Sequence, residues 1–208
     1  VGVIRRIEKV VARYVVKVAD CDHGSIDIER DVLAQACPSL PWLDCRTEDA
    51  LIEQCADADA LLIMYAPLTR HVLGHLRSCK VIVRYGVGVD TIDLRAAADL
   101  GIVVSNVPDF GTQVVADQDM ALLMSLMRKI VMAKTRVKQG QWDFRQMRPV
   151  RRLQGQTAGL VGMGRIGQAM ARKVAALGMN VIAFDPDAAP EHVPAGVEMV
   201  GIEELLRA

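Results

Sequence analysis

Residues 157–186, TAGLVGMGRIGQAMARKVAALGMNVIAFDP, constrain the fold more tightly than any other part of the chain. Leu160 and Val161 close a short apolar strand. Gly162, Gly164 and Gly167 then form a G-x-G-x-x-G turn that runs into a helix whose Ile166, Met170, Val174 and Leu177 recur at helical spacing. The first glycine permits a tight turn, the second lets backbone approach a pyrophosphate, and the third lets helix and strand pack closely. The helix N-terminus adds free N–H groups and a partial positive charge. Gly178 stands where a left-handed cap ends the helix, and a second strand, Val181 to Phe184, delivers Asp185. An acid about twenty residues after the turn hydrogen-bonds the ribose hydroxyls and repels a 2′-phosphate, and no arginine follows it. A lone glycine pattern marks many turns. Strand, glycines, amphipathic helix, cap, strand and acid in register specify a βαβ unit for NAD rather than NADP.

Strands and helices alternate along the rest of the chain, the pattern of an α/β protein with a parallel sheet. The spacing predicts strands at 14–18, 60–64, 81–84 and 102–105, with helices at 26–36, 70–77, 93–100 and from Glu48, which Thr47 caps. These form one doubly wound unit over residues 1–107. Asn106 to Thr112 carries Pro and Gly and reads as a hinge. After it, Val114, Val115, Ala121, Leu122, Leu126, Ile130 and Val131 predict one long helix over 113–133, apolar around most of its circumference and so buried between domains or subunits. A polar connection, 139–156, leads to the βαβ unit, then a strand near Glu198 to Val200 and a helix from Ile202 to Arg207. A dinucleotide domain has two such halves. Residues 108–208 supply the first, which leaves an unpaired strand edge and apolar surface for a second subunit to cover.

Composition excludes several classes. Twenty-five basic residues balance 25 acidic ones, so there is no field to attract nucleic acid or an acidic membrane, and the local cluster Arg145 to Arg152 reads as a solvated loop. The five cysteines have neither C-x-x-C nor zinc spacing, and an odd count argues against a disulfide framework. They read as reduced thiols of a cytoplasmic protein. No apolar run approaches a membrane span, and no signal-peptide core is present. The first dozen residues precede the first clear element and read as an extension. His71 and His75 stand at i and i+4, but no third ligand accompanies them, and no metal is expected.

The segment VIVRYGVGVDTID, residues 81–93, runs from a β-branched strand through a glycine-bearing loop into a helix. In open α/β sheets ligands sit at the carboxyl ends of strands, and Gly86 and Gly88 permit a loop whose N–H groups face outward, as a small carboxylate requires. The residues alone leave two readings, a carboxylate cradle or an ordinary strand-to-helix turn. Arg84 before it either strengthens the local positive potential or pairs with an acid.

With RYGVGVDTID, NVPDFGTQVVADQDMALLMSLMRK and GLVGMGRIGQAMARKVAALGMNVIAFDP in that order, the chain resembles the NAD-dependent D-isomer-specific 2-hydroxyacid dehydrogenases. Its phosphoglycerate dehydrogenase and C-terminal-binding-protein branch is the nearest likeness. The resemblance implies a flavodoxin-like substrate domain over 1–107 and a Rossmann-type NAD domain, first half only, over 108–208, with the active site between them and a homodimer formed through helix 113–133. It implies that the N–H groups of Val87 and Gly88 hold the substrate carboxylate and that Val115 lies beside the nicotinamide. It places Gly162, Gly164, Arg165, Ile166, Gly167 and Asp185 on the cofactor. Tyr65 faces the substrate in the family, or is a packing aromatic. Gln118 departs from the pattern, standing where a histidine often follows.

The activity implied is hydride transfer between NAD(H) and a 2-oxo acid/2-hydroxy acid pair. The family's catalytic arginine, glutamate and histidine lie beyond the position matching Ala208, so no catalytic residue is expected in this chain, and neither His23 nor His192 matches one. Two alternatives stand beside the enzyme: a non-catalytic NAD(H)-binding or co-repressor-like interaction module, and an inactive dehydrogenase fragment.

Overall fold

The computed structural model describes residues 14–208, and the extension read over the first dozen residues lies outside them. The chain divides between Phe110 and Gly111 into two compact units.

The first unit carries β1 (Val16–Val18), α1 (Asp27–Leu33), α2 (Glu48–Cys55), β2 (Ala60–Ile63), α3 (Arg70–His75), β3 (Val81–Arg84), α4 (Leu94–Asp99) and β4 (Val103–Ser105). Its four strands are parallel in the order β1-β2-β3-β4. An isolated parallel bridge joins Val18 to Trp42, and the Leu43 N–H donates to the Val18 carbonyl at 2.9 Å. The segment around Trp42 therefore lies on the outer side of β1, and the winding reverses between β1 and β2. This is the switch point of a doubly wound sheet, 2-1-3-4-5 if Trp42 is counted as the outer strand. Leu61, Ile63 and Ile82 face a core closed by Leu51, Val72, Leu73 and Ala96 of α2, α3 and α4. Val16 and Val18 face the other way, onto Ile26, Leu40 and Met64. Helices thus cover both faces, as a hydrophobic parallel sheet requires. The start of α2 is capped as the sequence predicts by Thr47, whose hydroxyl accepts from the Ala50 N–H, and α4 is capped by Asp93, expected as its first residue, which accepts from the Ala96 N–H at 2.8 Å.

The second unit holds α5 (Phe110–Met127), α6 (Ile130–Lys138), β5 (Thr157–Val161), α7 (Arg165–Ala176), β6 (Asn180–Phe184), β7 (Val197–Met199) and α8 (Ile202–Arg207). Its strands are parallel in the order β5-β6-β7. Met170, Ala171 and Val174 of α7 pack on Val181 and Ala183 of β6, with Met120 and Leu123 of α5 against the same cluster. On the opposite face, Leu205 of α8 sits within contact distance of Gly159.

The single helix expected over 113–133 is two helices. Lys129 takes φ +53°, a left-handed conformation, and α6 restarts after it. Lysine is a good helix former, so nothing in the periodicity marks the break. The left-handed turn costs roughly 1–2 kcal/mol, offset locally where the Lys129 N–H bonds to Leu126 and the Arg128 guanidinium donates to the Arg151 carbonyl. Within the single chain Ala116 is the one buried residue of α5, while Val114, Leu122 and Leu126 are exposed.

Among the described residues no helix is long and apolar enough to cross a membrane. All five cysteines are free and buried. Burial, reinforced by Cys45 alongside, pushes the Cys55 thiol up to about 12, and burial raises Cys45 and Cys79 as well. Unfolded thiols ionise near 9, so above that pH the unfolded state releases protons that the fold retains. Stability is therefore complete below pH 9 and falls as pH rises toward 12, by up to about 1.4 kcal/mol per pH unit per thiol. Urea denaturation at pH 8 and pH 10 should show this loss, and Cys55→Ala should flatten it.

Candidate functional site

Two clusters form at the carboxyl edges of the two sheets, one in each unit. In the first unit, the loop after β3 is held from below by its own carbonyl groups. The Gly86 carbonyl accepts from the Val107 N–H at 2.9 Å, Val87 from Asn106 Nδ2 at 2.6 Å, and Gly88 from Arg84 Nη1 at 2.7 Å. Three consecutive peptides are thereby oriented with carbonyls inward. The N–H groups of Val87 and Gly88 have no acceptor among the described residues, and Val87 is exposed. Outward N–H groups on a glycine-bearing loop make an anion-binding concavity. Gly86 sits at φ +152°, and a Cβ there would stand 2.6 Å from Arg84 Nη1. Arg84, left open between two fates by the sequence, is a strut: its Nε donates to the Met64 carbonyl at 3.2 Å while Nη1 holds Gly88.

The tip of β2 is tied to β1 by a carboxylate that sequence reasoning missed. Asp20 is fully buried and accepts from the N–H groups of Met64 at 2.8 Å and Tyr65 at 2.6 Å. Tyr65 is half exposed, and its hydroxyl donates to Asp22 Oδ2 at 2.9 Å; that bond raises its phenol above the ordinary value. The Arg46 guanidinium lies over the Tyr65 ring, 5.6 Å from its centre, and Nε also donates to Asp44 at 2.6 Å. His23 meets Tyr85 edge-on, with ring centres 5.5 Å apart. A cavity of about 360 Å³ opens beside Trp42, Leu43 and Arg46. Tyr65, Arg84, Val87 and Gly88 thus share one sheet edge.

In the second unit, Gly162 has φ +98° and Gly164 stands as the N-cap of α7 with no side-chain cap. A Cβ on Gly167 would lie 2.1 Å from the Gly162 carbonyl oxygen, so α7 seats directly on the turn only because that residue has no side chain. Open space surrounds the Cβ position of Gly164, and Arg165 and Ile166 begin α7 on the exposed side. Asp185, one residue past β6, accepts from the Met163 N–H at 2.7 Å and from Asp187 at 2.9 Å. Those backbone bonds, Met163 first, hold its carboxyl below the usual range. Lys173 of α7 bridges to Asp117 of α5 at 2.7 Å. Val115 lies partly exposed on α5. The glycine turn with its neighbouring acid is a cradle open where a pyrophosphate and a ribose need room.

His71 and His75 meet edge-on with ring centres 4.8 Å apart, and His75 Nδ1 lies 2.8 Å from the His71 carbonyl oxygen. No group of three His, Cys, Asp or Glu placed to hold a metal occurs among the described residues.

Sequence comparison matches residues 120–208 to the model described as D-isomer specific 2-hydroxyacid dehydrogenase, NAD binding domain. The chain is 40% identical over 164 residues to a D-3-phosphoglycerate dehydrogenase of Methanocaldococcus jannaschii, which covers 77% of this chain and 31% of the relative. It is 34% identical over 191 residues to a glyoxylate reductase of Korarchaeum cryptofilum, covering 89% of this chain and 54% of that protein. The chain therefore spans about a third to a half of these relatives' length. Among solved structures, the TT0316 protein of Thermus thermophilus superposes with a TM-score of 0.75 at 32% identity, over 92% of this chain and 61% of the other. A D-lactate dehydrogenase of Aquifex aeolicus, solved with NAD and lactic acid, gives 0.78 at 24% identity, over 92% and 57%, a likeness of fold.

Gly167→Ala should force α7 off the turn and destabilise the second unit by about 1–3 kcal/mol, whereas Gly164→Ala should cost under 1 kcal/mol. Urea denaturation of both variants checks the contrast.

Proposed function

Because the chain belongs to the family of D-isomer-specific 2-hydroxyacid dehydrogenases, we propose that it serves hydride transfer between NAD(H) and a 2-oxo acid/2-hydroxy acid pair, the first unit acting as substrate domain and the second as NAD domain. The observation that carries the reading is the seat of Gly167 against the Gly162 carbonyl, which leaves no room even for a methyl group and brings the N-terminus of α7 onto the turn where a pyrophosphate binds. The donor set fits NAD: the N-terminus of α7, where Gly164 brings no side-chain cap, for the phosphates and an ionised Asp185 for the ribose hydroxyls. Bound NADH supplies the hydride that adds to the carbonyl carbon.

The residues of this chain hold and orient. Gly162, Gly164, Arg165, Ile166 and Gly167 form the phosphate cradle, and Asp185 excludes a 2′-phosphate. Val115 borders the nicotinamide. Val87 and Gly88 donate their N–H groups to the substrate carboxylate, while Arg84 keeps that loop in shape from behind. Tyr65 borders the substrate's remaining carbons. None of these groups delivers the proton that the carbonyl oxygen requires; a histidine held by a carboxylate suits that step because its pKa lies near neutrality. Five buried free thiols favour the cytoplasm as the compartment.

The partner proposed for α5 and α6 is a second copy of this chain. Val114, Leu122, Leu126 and Val131 expose an apolar face on a unit whose sheet also ends in the exposed β5 residue Val161. Sedimentation should show a dimer, and Leu126→Glu should shift it toward monomer. A monodisperse monomer of the unaltered chain contradicts this partner.

NADH oxidation followed at 340 nm by the protein in its full length, with glyoxylate, pyruvate and hydroxypyruvate in turn, tests the reaction. Turnover is expected, with Asp185→Ser weakening NADH and narrowing the preference over NADPH about tenfold or more. Tight NADH binding without turnover of any 2-oxo acid would leave a nucleotide-binding module instead.

A further inference from the structure

Asp22 bears on which 2-oxo acid the first unit accepts, an inference that rests on the carboxylate-loop reading above. The strand register sets Ile63 opposite Arg84, and the Tyr85 N–H still donates to the Ile63 carbonyl at 2.8 Å, so Tyr65 and the loop from Gly86 leave the same end of adjacent strands. A ligand held through its carboxylate by Val87 and Gly88 extends its distal carbons past Tyr65. There the Tyr65 hydroxyl is already bound to Asp22, whose side chain is 52% exposed and whose Oδ1 lies 4.0 Å from His23 Nδ1.

Of the two cations nearby, Arg46 lies half exposed over the Tyr65 ring with Nε on Asp44, and Arg84 directs Nε and Nη1 to main-chain carbonyls. Among the carboxylates and guanidinium groups here, Asp20, Asp22 and Asp44 stand against Arg46 and Arg84, a formal excess of one negative charge around Tyr65. A phosphate dianion is recognised by arginine forks or by unpaired N–H groups. At this position it meets a carboxylate and a hydroxyl whose hydrogen points at that carboxylate. Several relatives are named for a phosphorylated substrate.

We propose that Asp22 is a specificity-determining residue that makes this pocket select 2-oxo acids with an uncharged, hydrogen-bonding distal group and reject those bearing a distal phosphate. Hydroxypyruvate and its 3-phosphate differ only in that group. The test measures kcat/KM for both with the full-length protein at pH 8, taking Ki against glyoxylate for a compound that is not turned over. Asp22→Asn keeps an acceptor for Tyr65 and removes the charge.

The unphosphorylated acid should be preferred at least tenfold, and Asp22→Asn should shrink that ratio about tenfold, the scale of one charge acting on a dianion across several ångströms of partly solvated protein. Preference for the phosphate ester, or a ratio unchanged in Asp22→Asn, would overturn the assignment. So would failure of both compounds to react or inhibit while glyoxylate is turned over. Loss of NADH binding, or no turnover of any 2-oxo acid, would instead strike the dehydrogenase reading and take this inference with it.

Discussion

An N–H group at the carboxyl end of a parallel strand has run out of sheet to bond to, and the structure depends on how each of these amides is used. At the switch point of the first unit, the amides of Met64 and Tyr65 go to the buried carboxylate of Asp20. In the second unit, the amide of Met163 goes to Asp185. In both, an aspartate just past one strand captures the tip of its neighbour, which is the cheapest way to satisfy a buried donor without another element. The loop after β3 does the reverse. Its carbonyls are taken by Val107, Asn106 and Arg84, and its amides at Val87 and Gly88 are left facing out. The same accounting that secures two strand ends prepares a third for an anionic ligand.

This arrangement separates rigidity from chemistry. Asp20 fixes Met64, the Met64 carbonyl fixes Arg84, and Arg84 fixes Gly88, so the anion loop is referenced through side chains to β1. Each link is a charge-assisted hydrogen bond, stronger than a neutral one. Around the nucleotide cradle, precision comes from the absence of atoms. Gly167 has no space for a methyl, and Gly162 needs a positive φ that disfavours any other residue.

Much of this was legible in the sequence, and the failures have physical causes. The βαβ unit was readable because its glycines, helical periodicity and acid report a backbone geometry that few residue types tolerate, and the strand 81–84 and helix 202–207 fell where hydrophobic pattern and turn residues placed them. The break at Lys129 was invisible because a helix-forming lysine carries the left-handed turn. For α5, periodicity reports that its faces are apolar and not what covers them. Asp20 escaped notice because a buried aspartate has no signature until the partner amides, 44 and 45 residues away, are in place. The one available hint was its position just past a strand, shared with Asp185. Arg84 was identified as important for its charge, whereas the structure uses its fork to hold carbonyls.

The most direct measurement of the central claim is amide hydrogen exchange, resolved by residue, on this chain alone, with NADH, and with a saturating small 2-oxo acid. The account predicts that NADH slows exchange in the amides of residues 163–167 and that the 2-oxo acid slows it at Val87 and Gly88. Unchanged exchange at both places under saturating ligand, or protection by NADH that bypasses the glycine turn, would contradict it.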